Sequence, residues 1–500
     1  MKRAVVALVS LLLVAAGVGW LSIPSIERHL VAQLRGQLER AGATRIDRLE
    51  IGLLARRVEI DGLNLVAGAG NGTEVALTRA RVSGLEWPIR ELLAGRTPFR
   101  GWRPGDPFIA ANVEIENLQV ADPIIATGVR VRRLVAEGVN LARFEPARGG
   151  TDWMESAAGP VDIARALRAL ALARLEITTL LLSQTGVGET LSVDRFTVAG
   201  WRQGRVADFA VDAFVARAGG NAAEVVRVER VSLREGEMTL MLDYLDPVGA
   251  SEQSPPLRWL ASTFEGFSGT ALSDNGLALT RVSTKGSRDG DARYRWNSRV
   301  EGAGFRPVAG TFIGDAAAES FRGLGISELA VDVDCGAMED RVAGKFDLER
   351  CGVDIRGLAT IGLSFGLEGL DASFWEAYDW GDYGLLLTSK GAVNRITLSL
   401  RDQSLLDRAL RLAAGGMGMP AQLARATIAQ QVRRFQPSGV LITQEMTAIA
   451  DTVARFVERG GELVFEAKPD PPFAFERWDY LLSPGPDLVS ALGLSVRHAR

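Results

Sequence analysis

The chain has 500 residues, 47% of them hydrophobic and 24% charged, which is the composition of a folded protein and excludes a largely disordered one. Its 57 Lys and Arg residues against 61 Asp and Glu residues give a net charge of −4, so the sequence offers no broad basic surface for nucleic acid. Two histidines, His29 and His498, lie near opposite ends of the chain. This scarcity excludes most histidine-based catalysis and most histidine metal sites.

The first predicted element is a membrane anchor. An uncharged run from Ala4 to Ser25 follows the basic pair Lys2 and Arg3. The run reaches the roughly 20 residues that a helix needs to cross a bilayer. It is longer than the ~7–15-residue apolar core of a cleavable signal peptide, which is the alternative. We therefore predict a transmembrane helix over residues 1–23, with a cytoplasmic N-terminus and the rest of the chain exported.

Residues 24–44 are predicted to form an amphipathic helix. Ile26, Leu30, Leu34 and Leu38 lie four residues apart and therefore share one face of a helix. Such a stripe most often packs on the helix's own domain. The functional alternative is a helix that lies on a membrane or caps a groove.

The body of the chain, residues 45 to about 400, is predicted to be a long antiparallel sheet. Apolar residues recur there with period two, and Gly, Asn and Asp punctuate the runs. Helical patches are few and short, and the connections are too short for the crossovers of a parallel sheet. We divide this body into two β regions, residues 45–250 and 251–400.

One phrase recurs in the first β region: apolar, any, apolar, polar, any, apolar, any, apolar. In its first copy Val58 and Ile60 are followed, after a one-residue slip at Gly62, by Leu63 and Leu65. Such a slip is typical of a β-bulge, which bends a strand, although any large β protein yields some such phrases by chance. The other copies hold Val113, Ile115, Leu118 and Val120; Leu134, Ala136, Val139 and Leu141; Leu175, Ile177, Leu180 and Leu182; Leu191, Val193, Phe196 and Val198; and Val226, Val228, Val231 and Leu233.

The residues at the slips differ in how well they suit a bulge. Like Gly62, Asn117 and Gly138 tolerate the positive φ that a bulge favours. Thr179, Arg195 and Arg230 do not, so the prediction is weaker for their copies.

Repeated bulges would turn one apolar face of a curving sheet inward, and that face must be covered. A second sheet could close it as a sandwich, or the face could remain an open groove for an apolar ligand. We take the groove as the working interpretation. Its candidate lining residues are Val58, Ile60, Leu63, Leu65, Val113, Ile115, Leu118 and Val120.

Cys335 and Cys351 are the two cysteines of the chain, and they flank a turn-prone segment between two predicted strands. Directly opposed strand neighbours can meet the geometry of a disulfide, and an exported location favours oxidation. We therefore predict a disulfide; the alternative is two reduced cysteines packed as small hydrophobic residues. A zinc site would need two more ligands.

Four aromatic residues, Trp375, Tyr378, Trp380 and Tyr383, form the densest aromatic cluster of the sequence. Such a cluster could stack on a sugar or lie at a membrane interface. A packed loop is the interpretation that we favour.

The last part of the chain, residues 401–500, changes from period two to helical periodicity. Ser404 is predicted to cap a helix that Gly415 and Gly416 end, and two further helices follow. We predict a helical α/β cap on the end of the sheet, because amphipathic helices most often bury their apolar face within the same chain. Docking of a partner protein is the alternative.

The N-terminal features together resemble the start of the AsmA-like envelope proteins of bacteria. These features are a short basic tail, one membrane anchor, an amphipathic segment, and then the strands VEIDGLNL and EVALTRARV. The resemblance covers about residues 1–140 and continues in general character to about residue 400. It implies an inner-membrane anchor and a β-rich periplasmic region whose curved groove carries lipid acyl chains between membranes. The helical C-terminal hundred residues depart from the family pattern.

The sequence contains no P-loop, no dinucleotide-binding fingerprint and no nucleophile elbow with a usable histidine. We therefore expect no enzyme activity and no cofactor or metal. The expected function is a single-pass inner-membrane protein, with most of the chain in the periplasm, that binds or helps transport lipid through contacts with phospholipid acyl chains. The alternative is a structural or assembly factor that docks other envelope proteins and carries no lipid.

Overall fold

A computed structural model of the chain describes residues 23–67, 72–86, 106–122, 127–145, 160–184, 188–218, 223–246, 258–290, 293–386, 388–435, 441–477, 479–480 and 487–499. The predicted anchor, residues 1–23, lies outside these ranges except for its last residue. Among the described residues, no helix combines the length and the hydropathy needed to cross a membrane.

The protein is mainly β, as predicted, and the chain divides into two compact units, residues 1–225 with 230–259 and residues 226–229 with 260–500. The predicted boundary at residues 250 and 251 lies outside the described residues. The first described strands are β1 (Ala43–Gly52), β2 (Arg57–Ala67), β3 (Thr73–Ser83), β4 (Phe108–Asp122), β5 (Thr127–Leu141), β6 (Leu170–Gln184), β7 (Glu189–Arg202), β8 (Arg205–Ala218) and β9 (Ala223–Glu237). The later strands are β10 (Arg258–Ser268), β11 (Leu277–Ala278), β12 (Arg281–Asp289), β13 (Arg293–Phe305), β14 (Leu329–Asp340), β15 (Lys345–Ile355), β16 (Ala359–Glu368), β17 (Ala392–Asp402), β18 (Glu462–Ala467), β19 (Phe473–Ala474) and β20 (Leu494–Ala499).

Helices are concentrated in the second unit. In the first unit they are α1 (residues 23–40), α2 (Pro160–Ala169) and α3 (Thr239–Leu245). In the second unit they are α4 (Thr270–Ser273), α5 (Phe312–Leu324), α6 (Ala372–Trp380), α7 (Tyr383–Leu386), α8 (Leu405–Met417), α9 (Ala421–Arg434), α10 (Gln444–Arg459) and α11 (Leu488–Leu492).

The strand pairings confirm the antiparallel meander. From β1 to β8 each strand is hydrogen-bonded to the next one along the chain. The same holds from β12 to β17. In the C-terminal part β18 pairs with β17 and β20, so this part contributes strands to the sheet as well as helices.

Several slips in the apolar pattern coincide with a left-handed backbone. Gly62, Asn117 and Gly138 have φ values of 64°, 52° and 61°, as their chemistry predicts. Thr179 also has a positive φ, 51°, although this conformation is costly for a β-branched residue. The weaker prediction for the copy at Thr179 therefore fails, because the sheet imposes a positive φ that the residue alone does not favour.

The β-bulge interpretation of these slips is wrong. Asp61 pairs with Arg79 and Leu63 pairs with Leu77, so the strands keep one register past Gly62 and no residue is inserted. The register is equally constant through the slips from β4 to β8. The physical reason is that both partners change side-chain phase at the same point. Neither strand then needs the extra residue that defines a bulge.

Because the register is constant, the slips align in one row that runs across the strands. Left-handed residues occur in this row on alternate strands, and Asn117 Nδ2 donates to Thr78 Oγ1 of the neighbouring strand at 3.2 Å. From β2 to β8 the row holds Gly62, Thr78, Asn117, Arg132, Thr179, Asp194 and Ala213.

A second row alternates left-handed glycine with alanine. A Cβ atom added to Gly138 would lie 3.0 Å from the Ala173 Cβ, and one added to Gly200 would lie 2.8 Å from the Ala207 Cβ. These glycines are therefore needed both for their positive φ and for the close approach of the neighbouring strand. From β3 onward the row holds Gly84, Ala111, Gly138, Ala173, Gly200 and Ala207.

Register shifts occur at other positions, and one of them in the second unit involves a left-handed glycine. The register between β13 and β14 shifts by one residue between Val300 and Ala303. Gly302, with φ 65°, lies in this shift and donates its backbone N–H to the Asp332 carboxylate at 2.8 Å. The sequence phrases did not indicate this position.

The amphipathic helix α1 packs on the first unit, as the structural interpretation of its stripe predicts. Leu30 and Leu34 are buried against Leu49, Ile51 and Val58 of the sheet. Leu30 and Leu34 of the apolar stripe are therefore part of the hydrophobic core of the first unit.

In the C-terminal part, α8, α9 and α10 pack together through Leu410, Ala429 and Ala454. The predicted cap at Ser404 is wrong, because the Asp402 carboxylate accepts the N–H of Leu406 instead. The ring of Phe456 on α10 lies 6.2 Å from the His498 ring on β20. These helices therefore bury apolar residues within their own unit.

Candidate functional site

The candidate site is the apolar face of the first unit. The eight predicted lining residues lie on β2 and β4, which are separated by one strand, β3. β3 connects them: Val82 pairs with both Val58 and Val113, and Ala80 pairs with both Ile60 and Ile115. All eight positions consequently lie in apolar rows that continue across the same three strands.

This face consists of four apolar rows that cross the strands from β2 to β8. The first two rows are Val58, Val82, Val113, Ala136, Leu175, Val198, Phe209 and Ile60, Ala80, Ile115, Leu134, Ile177, Phe196, Val211. The other two are Leu63, Leu77, Leu118, Val131, Leu180, Val193, Phe214 and Leu65, Val75, Val120, Val129, Leu182, Leu191, Ala216. At about 4.8 Å between neighbouring strands, β1 to β8 span roughly 34 Å.

The phrase explains how the sequence produces this face. In an ordinary strand a second apolar pair after an odd-numbered step would point to the opposite face. We interpret the aligned slips as bringing the first two rows and the last two rows onto one face. Residues on β3 and β8 were missed, although VALTRARV and FAVDAFVA carry the same phrase and would have identified them.

Helices cover the part of this face that holds the first two apolar rows. Helix α1 packs over the first two rows at the β1–β4 end. Helices α2 and α3 pack over the first two rows at the β6–β8 end, where Ala164 and Leu242 are fully buried against Leu172, Val198 and Val206. The covered part of the face is therefore an ordinary core.

A buried ion-pair cluster holds α2 and α3 together. The Asp246 carboxylate is fully buried and accepts from Arg165 Nε at 3.1 Å and Arg168 Nη1 at 2.8 Å. Arg168 also donates to Asp243 at 2.6 Å. The two helices are thereby fixed over the strands beneath them.

The fourth row is unevenly covered along its length. Leu182 and Leu191, which pair with each other on β6 and β7, are 37% and 41% exposed. By contrast Leu65, on β2 in the same row, is 6% exposed. Large apolar side chains thus reach solvent in this row on β6 and β7, away from the helices that cover the first two rows.

The opposite face of the sheet carries charge of alternating sign. Asp61 pairs with Arg79, Arg79 with Glu116, and Glu116 with Arg133 across four successive strands. Arg79 Nε lies 3.0 Å from Asp61 Oδ1, and this hydrogen bond raises the pKa of the guanidinium. Such exposed pairs contribute little energy each, but they neutralise this face and leave the apolar rows as its distinctive feature.

In the second unit, Cys335 and Cys351 lie directly opposite each other on β14 and β15, and their sulfur atoms are joined as a disulfide. The aromatic cluster is partly a core. Trp375 packs against Phe374 and Tyr378, and Arg341 lies 4.9 Å above the Trp375 ring. The side chains of Trp380 and Tyr383 lie outside the described part of the chain.

The second unit also has a polar cavity of about 610 Å³ beside the Gly302 bulge. Its Asp332 accepts from the Gly302 N–H and from Arg356 at 3.2 Å, which lower the pKa of the carboxyl group in that order. Its Asp334 is held by Arg299 at 2.8 Å, with the same direction of shift. These acids are neutralised by neighbours, and no group of described residues is arranged to hold a metal ion.

Comparison with known proteins adds a family match for the second unit. Residues 352–499 match the model of a family that is described only as an uncharacterized protein. This stretch runs from β15 to β20 and includes α8 to α10. No curated protein matches the chain.

Proposed function

We propose that the protein is anchored in the bacterial inner membrane by the predicted N-terminal helix and binds or helps transport lipid in the periplasm. The ligand contact is the row of apolar side chains that includes Leu182 and Leu191. Phospholipid acyl chains fit this face because it offers apolar contact without hydrogen-bonding groups. The proposal requires binding and no catalytic step.

The observation that carries the proposal is the exposure of two large apolar residues, Leu182 and Leu191, that pair with each other within an extended apolar row. Leu182 and Leu191 are 37% and 41% exposed at neighbouring positions, whereas single exposed apolar residues are normal on any protein. An apolar face larger than a few hundred Å² is rarely left uncovered without a ligand or partner. The helix pair fixed by Asp246 would define the closed side of such a groove.

Site-specific photo-crosslinking tests the proposal. A photoreactive phenylalanine analogue in place of Leu191 should crosslink to phospholipid during expression in bacteria. The matched control is Ser192, the next residue, which points to the opposite face of the same strand. Lipid attached from position 191 and not from 192 is the expected result; equal labelling of both positions, or of neither, would contradict the proposal.

A second candidate function, docking of other envelope proteins, is favoured by the C-terminal helices. Leu412 on α8 is 44% exposed, and Leu423 and Phe435 on and after α9 are 55% and 70% exposed. Loss of a co-purifying protein after Leu423→Asp, with lipid binding unchanged, would favour this function for the second unit.

A further inference from the structure

Helix α1 uses its apolar side within the protein. Leu30 is 5% exposed and Leu34 is 8% exposed beneath the helix, and Glu27 Oε1 accepts the N–H of Leu53 at 2.8 Å on the same side. Leu30 and Leu34 are therefore unavailable for insertion into a lipid bilayer, whereas Ile26, in the first turn of the helix, is 45% exposed. Any further contact made by α1 must use its outer face.

The outer face of α1 is basic and its charges are unpaired within the described part of the chain. Arg28 Nε donates to the Pro24 carbonyl at 3.3 Å, and Arg40 Nε donates to the Gly36 carbonyl at 3.0 Å. Arg28, Arg40 and the half-buried Arg35 have no carboxylate partner among the described ion pairs. One acid, Glu39, is exposed near the end of the helix.

The arginines of the adjacent sheet behave differently. Arg45 lies 2.8 Å from Asp47, and Arg48 lies 2.5 Å from Glu50. These two guanidinium groups of the sheet are thus neutralised by neighbouring carboxylates, although other sheet arginines, such as Arg57, have no partner among the described ion pairs. The arginines of α1 remain available to a negatively charged partner.

The chain that precedes α1 indicates what this partner is. Residues 1–22 lie outside the described part, and their sequence is uncharged from Ala4 onward up to the first turn of α1. On the proposed function, on which this inference rests, that run crosses the membrane. The first turn of α1 then lies at the bilayer surface, and the helix is ~27 Å long.

We propose that the outer face of α1 lies along an anionic lipid surface. Arg28, Arg35 and Arg40 contact lipid phosphates, because guanidinium groups form charge-assisted hydrogen bonds with phosphate oxygens. The small residues Ala32 and Gly36 between them allow close approach, and a Cβ on Gly36 would meet no atom within 4 Å. The helix therefore holds the first sheet beside the membrane.

The test places a fluorophore at Ala32→Cys in the full chain, incorporated into nanodiscs that contain a nickel-chelating lipid as a headgroup quencher. In discs with phosphatidylglycerol the fluorophore should be quenched at least twofold more than in phosphatidylcholine discs. The difference should shrink as salt rises, because exposed charge interactions are screened. Arg28→Glu, Arg35→Glu and Arg40→Glu together should abolish it.

The matched control reverses three exposed arginines of the sheet, Arg57, Arg130 and Arg202, and should leave the quenching at position 32 unchanged. Quenching that is independent of lipid charge and of salt in the unmodified helix would overturn the inference, whether or not the triple variant folds. A chain that fails to enter the nanodiscs would also overturn it. The lipid crosslink from Leu191 is measured separately, so the two proposals can fail independently.

Discussion

At the scale of single residues, the least expected feature of the molecule is the left-handed backbone in the row of slips that runs from Gly62 to Ala213. Thr179 has a φ of 51° within β6, where a β-branched side chain is strained. Glycine has no such strain but has greater backbone entropy in the unfolded chain. Thr179→Gly should therefore stabilise the protein by up to about 1 kcal/mol, measured by urea denaturation.

The neighbouring residue provides the control. Thr178 pairs with Arg195 and is not among the positive-φ residues. Thr178→Gly should destabilise the protein by roughly 1 kcal/mol, because glycine only adds entropy to the unfolded state there. Destabilisation of similar size by both substitutions would show that the conformation of Thr179 carries no strain.

The carboxylate of Asp340 is expected to make the stability of the protein depend on pH. The backbone N–H of Ala343 at 2.9 Å, and then Arg293 at 2.8 Å, lower the pKa of its carboxyl group. A lowered folded-state pKa contributes stability above the unfolded pKa of about 3.9, and this contribution is lost as pH falls through the folded value. Asp340→Asn should cost stability at pH 7 and progressively less below about pH 4.

The measurement is thermal unfolding of both proteins between pH 3 and pH 7. A difference in unfolding free energy that stays constant over this range would contradict the assignment. Asp289→Asn removes the other carboxylate near Arg293, 3.6 Å away and 84% exposed, and should have little effect at any pH.

At the scale of elements, part of the fold and of the site could be predicted from sequence. The period-two pattern of apolar residues predicted the strands, and the stripe that includes Leu30 and Leu34 predicted the packing of α1. Both predictions succeeded because each pattern depends only on neighbouring residues in the chain. The bulges could not be placed, since a slip at Gly62 has the same appearance whether a residue is inserted or both strands change phase together. That distinction depends on the partner strand, which no local pattern contains.

The buried ion-pair cluster between α2 and α3 could not be predicted from a local pattern either, since Asp246 lies 81 positions after Arg165. Asp246→Ala removes a fully buried carboxylate from two guanidinium groups that are about a quarter exposed. The expected loss of stability is about 2–3 kcal/mol, somewhat below that of a fully buried pair.

The control for this prediction is Asp47→Ala. It breaks an ion pair with Arg45 in which both side chains are about half exposed or more, and it should cost less than ~1 kcal/mol. Chemical denaturation of the two variants should separate them clearly. Equal effects would mean that the buried ion-pair cluster does not hold the helices over the sheet.

At the scale of the whole molecule, the two faces of the sheet in the first unit differ in chemistry. The outer face neutralises its charges through pairs such as Asp61 with Arg79. The inner face is apolar from β2 to β8 and is closed by helices on one side. The exposed part of the inner face therefore offers apolar contact, which is the kind of contact that the proposed lipid binding requires.

Native mass spectrometry of the full chain, purified in mild detergent, tests this account most directly. Leu63→Asp with Leu118→Asp places two charges on the apolar face, and Asn64→Asp places one on the exposed side of β2 as the control. We predict that the unmodified chain and the control carry phospholipid, and that the folded double variant loses at least one bound lipid. The same lipid count in all three folded proteins would contradict the account.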